Sequence, residues 1–223
     1  MIETRWGGWI ALIALSLALL VAGCASPPIS PNVTLTVGEV LLDDAFNRPF
    51  EWDNRQQGGV RVGVEGDTYR IVADVSSYVR GYHVARHDDV VIDVGVTQLS
   101  PDSVNAYGVV CRGSSDPASA NGYYFLISGD GAFSIRRGRQ GDLQPIVHWS
   151  RSNVINRGGF NRLRVVCVAD YLALWVNGQL VAQARDDVYR AGRVGFTATA
   201  RDGDLIDVVF ANLTISAGSI TPR

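Results

Sequence analysis

Arginines and aromatic residues alternate with apolar residues along several stretches of the chain, and this spacing could form a sugar-binding surface. We expect Arg112, Arg136 and Trp175 to contact a ligand, with Tyr124 and Arg164 beside them. Successive side chains of a strand point to opposite faces, so these residues lie opposite the apolar positions of their own strands. Aromatic rings stack on the C–H face of a sugar, while guanidinium groups donate hydrogen bonds to hydroxyls or a carboxylate. The alternative is a solvated sheet face on which arginine stems cover apolar surface.

Two acidic groups are the candidate metal ligands. Asp88 and Asp89 are adjacent, and the run Asp202-Gly203-Asp204 is followed by Asp207. Hard oxygen ligands of this kind could hold calcium, but Asp-Gly is also an ordinary turn, and a solvated loop is the interpretation we favour. We therefore expect no cofactor, with calcium as the alternative.

The elements that must position the arginines and aromatic residues are strands. Tyr171–Val176 and Gln179–Ala182 flank Asn177-Gly178, a strong hairpin signal, and a second hairpin is expected around Gly129-Asp130-Gly131. No stretch after residue 24 shows helical periodicity, so we predict an all-β fold of two stacked antiparallel sheets. Further strand-like runs are 40–46, 60–64, 69–73, 90–99, 104–112, 146–149, 162–168, 194–200 and 205–215.

Alternation also predicts which side chains fill the space between the sheets. The inward set consists of Tyr107, Val109, Cys111, Tyr123, Phe125, Ile127, Phe133, Ile135, Leu163, Val165, Cys167, Leu172, Leu174 and Val176.

Cys111 and Cys167 are an even pair within apolar strand-like runs. In an exported protein they predict a disulfide, and two buried free thiols are the alternative.

The N-terminal segment predicts export and lipid attachment. Residues 10–22 form an apolar run that follows Arg5 and ends at Val21-Ala22-Gly23-Cys24. The run is too short for a helix to cross a hydrocarbon core of about 30 Å. Its end resembles the lipobox of bacterial lipoproteins, in which the cysteine is lipidated. We expect an extracytoplasmic protein held at the membrane by lipid on Cys24; an uncleaved N-terminal anchor is the alternative.

These expectations divide the chain into four parts. They are a signal peptide at 1–23, a lipidated Cys24 with a Pro- and Ser-rich spacer at 24–37, a β-sandwich at 38–218 and a tail at 219–223. The net charge is only −2, so no strong field favours nucleic acid, which we exclude as a partner.

Six segments occur in an order that resembles the concanavalin A-like lectin and glucanase jelly rolls. That group includes laminin G-like domains and the domain named for 3-keto-disaccharide hydrolases. The segments are 107–112, 121–125, 130–131, 174–178, 194–196 and 209–213. The resemblance covers most of 41–216 and implies a jelly-roll sandwich. The same sandwich hosts lectins, hydrolases and adhesion modules, so activity does not follow from it.

The resemblance implies one catalytic pattern that this chain lacks. Retaining glucanases of this fold use a Glu-x-Asp-x-x-Glu-like strand with two carboxyls about 5 Å apart. Glu65-Gly66-Asp67 begins that pattern, but Tyr69 and Arg70 stand where the second glutamate belongs. We reject a glucanase of that type and nominate no catalytic residue.

Three classes of function remain. The leading hypothesis is a surface lipoprotein that binds a glycan or another extracellular ligand without catalysis. A hydrolase of modified (3-keto) disaccharides and a protein-binding adhesion module are the alternatives. The oligomeric state and the membrane that holds the anchor stay open.

Overall fold

The computed structural model describes residues 32–101, 104–116, 118–200 and 204–222. Strands make up most of these segments, with a short 3₁₀ turn at Pro49–Glu51. The strands are β1 (Val33–Asp44), β2 (Arg55–Gln57), β3 (Val60–Glu65), β4 (Thr68–Ala73), β5 (Val79–His87), β6 (Val90–Gln98), β7 (Ala106–Gly113), β8 (Gly122–Ser128), β9 (Ala132–Arg139), β10 (Asp142–Arg151), β11 (Phe160–Val168), β12 (Tyr171–Val176), β13 (Gln179–Arg185), β14 (Gly192–Thr199) and β15 (Ile206–Pro222).

The strands form two antiparallel sheets that stack as a sandwich. The nine-stranded sheet has the order β13-β12-β11-β6-β15-β4-β3-β2, and β1 pairs with the C-terminal half of β15. The six-stranded sheet has the order β10-β9-β8-β7-β14-β5. The predicted all-β, two-sheet fold is confirmed.

Apolar side chains from both sheets fill the space between them. The whole inward set that alternation predicts, from Tyr107 to Val176, belongs to this core. At one end of it the Trp52 ring stacks on Phe196 at a centroid distance of 5.3 Å, and Phe196 stacks on Phe210 at 4.2 Å. Each large apolar side chain buried here contributes about 1.5–3 kcal/mol to folding.

Both predicted hairpins are present. Asn177 and Gly178 join β12 to β13 with φ values of 50° and 83°, the left-handed backbone that a two-residue hairpin turn requires. Gly131, with φ 87°, completes the turn between β8 and β9.

Two strands were missing from the sequence prediction, the short β2 and the longer β5. The segment Val79–His87 contains two arginines, two histidines and a glycine, so it shows no apolar alternation. It lies at an edge of the six-stranded sheet and pairs only with β14 among the described strands. Within it Val79 packs in the core, while a side chain at Gly81 would collide with Tyr69.

The two ends of the described chain form a ribbon that extends past the predicted domain limits. Residues 33–37 of β1 pair with residues 218–222 of β15, although we expected a spacer up to 37 and a tail from 219. We call this pair of segments the terminal ribbon. β1 and β15 continue past these limits because apolar side chains of the terminal ribbon pack against an apolar surface of the sandwich.

That surface is the outer face of the nine-stranded sheet. Val33, Leu35 and Ile220 of the terminal ribbon pack there against outward-facing side chains. These are Val91, Val166, Val168, Tyr171, Ala173, Trp175 and Leu180. The amide of Asn32 also donates to Gln183 Oε1 of β13 at 3.2 Å, so the chain enters the sandwich on this face.

The predicted disulfide is confirmed. Cys111 of β7 bonds to Cys167 of β11, with Cα atoms 6.8 Å apart, and both side chains are fully buried. The bond therefore joins the two sheets through the core.

The predicted signal peptide at 1–23 and the predicted lipidation site Cys24 lie outside the described residues. Within the part of the chain that the structure describes, no helix is long and apolar enough to span a membrane.

Replacing both cysteines, Cys111→Ala with Cys167→Ala, should lower the free energy of unfolding by about 4 kcal/mol, because the disulfide closes a long loop of the unfolded chain. The cysteines are 56 residues apart. Urea denaturation of oxidised wild type and the double variant measures the difference. Equal midpoints and slopes would contradict it, as would two alkylatable thiols in unreduced, unfolded protein.

Candidate functional site

The structure divides the predicted ligand contacts between the two outer faces of the sandwich. Tyr124 and Arg136 lie on β8 and β9 of the six-stranded sheet, while Arg164 and Trp175 lie on β11 and β12 of the nine-stranded sheet. Tyr124 is paired with Arg136, and Arg164 with Trp175. The set therefore forms two separate pairs on opposite sides of the molecule, not one surface.

Arg112 lies on neither outer face, so the prediction that it shares an outward sheet face with the other candidates is wrong. Its φ of 52° and a register shift in the pairing of β7 with β14 interrupt the alternation at this point. The side chain turns into the end of the sandwich and is 0% exposed.

The Arg112 guanidinium ties together three turns at that end. It donates to the carbonyl oxygens of Asp88 at 3.1 Å, Ala169 at 2.9 Å and Tyr189 at 2.8 Å. It also forms a 2.9 Å ion pair with Asp89. Burial lowers the pKa of Arg112, and the charge of Asp89 opposes that shift. Arg112 therefore has a structural role: it holds these turns together.

Tyr124 faces outward as predicted, but other side chains cover it completely. Its hydroxyl donates to the Ala120 carbonyl at 2.8 Å and accepts from Arg80 Nη1 at 3.3 Å. Tyr82, Val110 and Leu126 are buried around it, beneath Tyr78 and Leu143. The six-stranded sheet thus carries a second apolar layer on its outer face.

Arg136 is partly exposed at the border of that layer. Its Nη1 donates to the Leu143 carbonyl at 3.0 Å, and its Nε donates to Ser134 Oγ at 3.3 Å. The guanidinium carbon lies 5.6 Å from the centre of the Trp149 ring, a cation–π distance.

The register of the six-stranded sheet aligns small side chains in one row across its outer face. Thr199 pairs with Ala106, Ala106 with Ser128, and Ala132 with Arg151. Ser128 and Ala132 lie on either side of the β8–β9 turn. Because the side chains in the middle of the row are short, the surface is lower there than on either side.

Two aromatic side chains complete this hollow, which we call the transverse cleft. Tyr78 lines it beside Thr199, and Trp149 lines it beside Arg151. The cleft has a volume of about 380 Å³, and Trp149 is 38% exposed. A second hollow of about 520 Å³ continues past Asp130 toward Arg157.

Asp130 supplies the polar end of the transverse cleft. One of its carboxylate oxygens bonds to Ser128 Oγ, and the other forms a 2.6 Å ion pair with Arg151. Burial acts to raise the pKa of Asp130, but the hydrogen bonds from Ser128 and the Ala132 amide, with the charge of Arg151, bring it below its usual value. Asp130 is therefore ionised at neutral pH.

Trp149 and Tyr78 were not among the ligand contacts predicted from the sequence. One available signal for Trp149 was the strand-like run 146–149. It follows the second strand of the hairpin predicted around Gly129-Asp130-Gly131, and pairing of these two strands brings Trp149 close to Arg136. No comparable signal marks Tyr78, because it precedes β5, a strand without apolar alternation.

Arg164 and Trp175 line a smaller hollow on the nine-stranded sheet. It has a volume of about 260 Å³ and is also lined by Asp93, Arg162 and Gly178. Arg164 forms a fork with Asp93, with distances of 2.9 and 3.1 Å for the two nitrogens. The Trp175 ring packs partly against the apolar cluster under the terminal ribbon.

Two of the acidic residues considered for calcium, Asp89 and Asp207, have other partners. Asp89 accepts from Arg112 and from the Ala169 amide, and Asp207 pairs with Arg70 at 2.6 Å. Among the described residues no group of three or more His, Cys, Asp or Glu side chains could hold a metal ion. Asp202 and Gly203 lie outside the described residues.

Several solved structures resemble the sandwich at low sequence identity. The carbohydrate-binding module CBM66 from Bacillus subtilis has a TM-score of 0.61 and 18% identity over 75% of this chain and 96% of its own. A Bacillus subtilis protein of unknown function with a galectin-like fold has a TM-score of 0.64 and 11% identity over 85% of this chain and 100% of its own. A Bacillus licheniformis β-glucanase has a TM-score of 0.55 and 10% identity over 82% of this chain and 99% of its own. No protein-family model and no curated protein matches the sequence.

These similarities establish the fold. The chain has the concanavalin A-like jelly-roll architecture that its segments 107–112 to 209–213 resemble. One architecture of this kind supports many activities, so function has to be argued from the outer faces.

Arg112→Ala should lower the free energy of unfolding by about 3 kcal/mol or more, because the variant loses the hydrogen bonds of a buried guanidinium to the carbonyl oxygens of three turns and its ion pair with Asp89. Arg164→Ala is the matched control: it removes an exposed ion pair and should cost about 1 kcal/mol or less. Chemical denaturation of both variants measures the contrast. Equal, small losses would show that Arg112 does not hold the turns together.

Proposed function

We propose that this protein is an exported, lipid-anchored β-sandwich that binds carbohydrate in the transverse cleft without acting on it chemically. A proposal of this kind needs a concave surface with an aromatic ring available for stacking and polar groups beside it. The outer face of the six-stranded sheet offers both.

The transverse cleft is the observation that carries the proposal. Trp149 and Tyr78 rise from the two edge regions of the sheet, over a floor of Thr199, Ala106 and other short side chains. A floor this low lets a flat sugar ring lie against the sheet and contact an aromatic wall. Asp130 and Arg151 offer an acceptor and a donor for hydroxyl groups at one end.

The rigidity of the walls also favours binding. Arg136 lies over the Trp149 ring, and the Tyr78 ring contacts Tyr124 with centroids 6.3 Å apart. Aromatic side chains that are already held in place lose little conformational entropy when a ligand stacks on them.

The number of carboxylates in the cleft favours binding without catalysis. Among the described residues that line it, Asp130 is the one carboxylate. Glycoside hydrolysis usually needs two carboxyl groups, one of them protonated to act as the acid. Asp130 has a lowered pKa and is engaged by Arg151, so it is poorly suited to donate a proton.

The name of one structural neighbour points in the same direction. CBM66 is a carbohydrate-binding module, and it matches most of this chain. We take this as support for the ligand class and not for a particular sugar.

The proposed anchor would leave the cleft accessible. The terminal ribbon begins on the outer face of the nine-stranded sheet, where Asn32 contacts Gln183. Residues 25–31 span at most about 25 Å when extended. A lipid on Cys24 would therefore hold the nine-stranded sheet toward the membrane and turn the transverse cleft away from it.

Trp149→Ala should weaken binding of a glycan about tenfold or more, because the variant loses its stacking surface. The melting temperature should change little, since Trp149 lies at the surface. Isothermal titration with a glycan found on an array measures the affinity. Trp175→Ala, on the opposite face, is the matched control; if that variant loses affinity and Trp149→Ala does not, the ligand binds to the nine-stranded sheet.

Cys24→Ala should move the protein from the membrane fraction to the soluble fraction, because the acyl chains have no attachment point. Ser26→Ala, two residues away, should stay with the membrane. Fractionation of expressing cells with immunoblotting tests this, and membrane retention of the Cys24 variant would count against the lipid anchor.

A further inference from the structure

We infer that the transverse cleft takes an anionic glycan, one that carries uronate carboxylates or sulfate esters. This inference rests on the proposed glycan-binding function and specifies its ligand class. It comes from the distribution of charge on the outer face of the six-stranded sheet.

Most described arginines that are partly or fully buried have a carboxylate within 4 Å. Two do not, Arg80 and Arg136, and both lie on this face. The remaining described arginines without a carboxylate partner are exposed, namely Arg55, Arg86, Arg139, Arg157 and Arg162. A charge that is partly removed from water without a counter-charge is unfavourable, so a ligand that supplies the counter-charge is favoured at Arg80 and Arg136.

The partners of these two arginines are neutral. Arg136 donates to Ser134 Oγ and to the Leu143 carbonyl, and Arg80 donates to Tyr124 Oη. These contacts hold the guanidinium groups in place but leave their positive charges uncompensated.

Neither arginine lines the transverse cleft itself, but each lies beside an aromatic residue that does, Arg136 beside Trp149 and Arg80 near Tyr78. Arg136 lies over Trp149, which lines it. Tyr78 directly precedes β5, and Arg80 is the second residue of that strand. Because they are two residues apart, both side chains point to the outer face of the sheet. The charge of Arg136 also acts on the Tyr78 hydroxyl, where it opposes the rise in pKa that burial causes.

Among the described residues that line it, the cleft adds no free negative charge to balance them. Asp130 is neutralised by Arg151. Arg157 lies at the far end of the adjoining hollow and has no carboxylate partner among the described residues. A ligand that runs from Trp149 toward Arg157 would meet positive charge at both ends.

Guanidinium groups bind oxyanions in a planar, two-point geometry, and both carboxylates and sulfate esters present suitable oxygens. The experiment therefore has one arm for each source of the anion.

The test is binding of the full-length protein, purified in detergent, to an array of neutral and acidic glycans at 0.15 M salt, where non-specific attraction is screened. The array includes polygalacturonate beside its methyl ester, and dextran sulfate beside dextran. We expect an acidic member to bind at least tenfold more tightly than its neutral partner. The pair that shows the difference identifies carboxylate or sulfate as the anion.

Two other results would count against the inference in different ways. Binding confined to neutral glycans, or equal affinity within both pairs, would overturn the anionic ligand and leave the glycan-binding function in place. An array without any binding would contradict the proposed function as well.

Variants of Arg80 and Arg136 test whether the acidic glycan binds on the outer face of the six-stranded sheet. Arg136→Gln and Arg80→Gln should each lower affinity for the acidic probe about tenfold, while Arg136→Lys should retain more of it. Arg162→Gln, an exposed arginine on the opposite sheet, is the matched control and should bind like wild type. Thermal melting confirms folding, and unchanged affinity in folded Arg136→Gln and Arg80→Gln would place the anion elsewhere.

Discussion

The packing of two sheets against one apolar layer is the interaction on which the rest of this structure depends. Alternation along each strand sends every second side chain into that layer, and the Cys111–Cys167 disulfide joins the sheets across it. Apolar side chains therefore occupy most inward positions. Charged residues therefore lie on the outer faces and at the ends of the sandwich, and the proposed ligand site lies on one of these faces.

The two outer faces have become different surfaces. On the nine-stranded sheet the terminal ribbon covers a cluster around Val166 and Tyr171. On the six-stranded sheet the side chains cover one another: Tyr82 and Tyr124 are buried under Tyr78 and Leu143, and the row of short side chains beside them remains open. The division suits a domain that is attached on one side and binds on the other.

Arginine, which takes every Lys-or-Arg position of this lysine-free protein, has three distinct roles that follow from burial and counter-charge. Arg112 is buried, paired with Asp89 and bonded to backbone carbonyls, so it holds turns together. Arg164 is exposed and paired with Asp93, an arrangement that contributes little to stability. Arg136 is partly buried and bonded only to neutral groups, which leaves its charge available to a ligand.

The features that depend on neighbouring residues and on the side-chain period could be predicted from the sequence alone. Alternation identified most strands and the inward set, Asn177-Gly178 located a hairpin, and the even cysteine pair gave the disulfide. It missed β5, whose arginines and histidines hide the pattern, and it misplaced Arg112, where a left-handed residue interrupts the alternation.

Which strands share a sheet depends on pairing between strands distant in sequence. Alternation states that Arg136 and Trp175 both face away from the core, but hydrogen bonds between strands distant in sequence set them on opposite sides of the sandwich. The same long-range pairing aligned Thr199, Ala106 and Ser128 in one row and brought Tyr78 to it. The period of a strand is a local property, whereas a binding surface is formed by the register between strands, and that is why the site could not be predicted from the sequence.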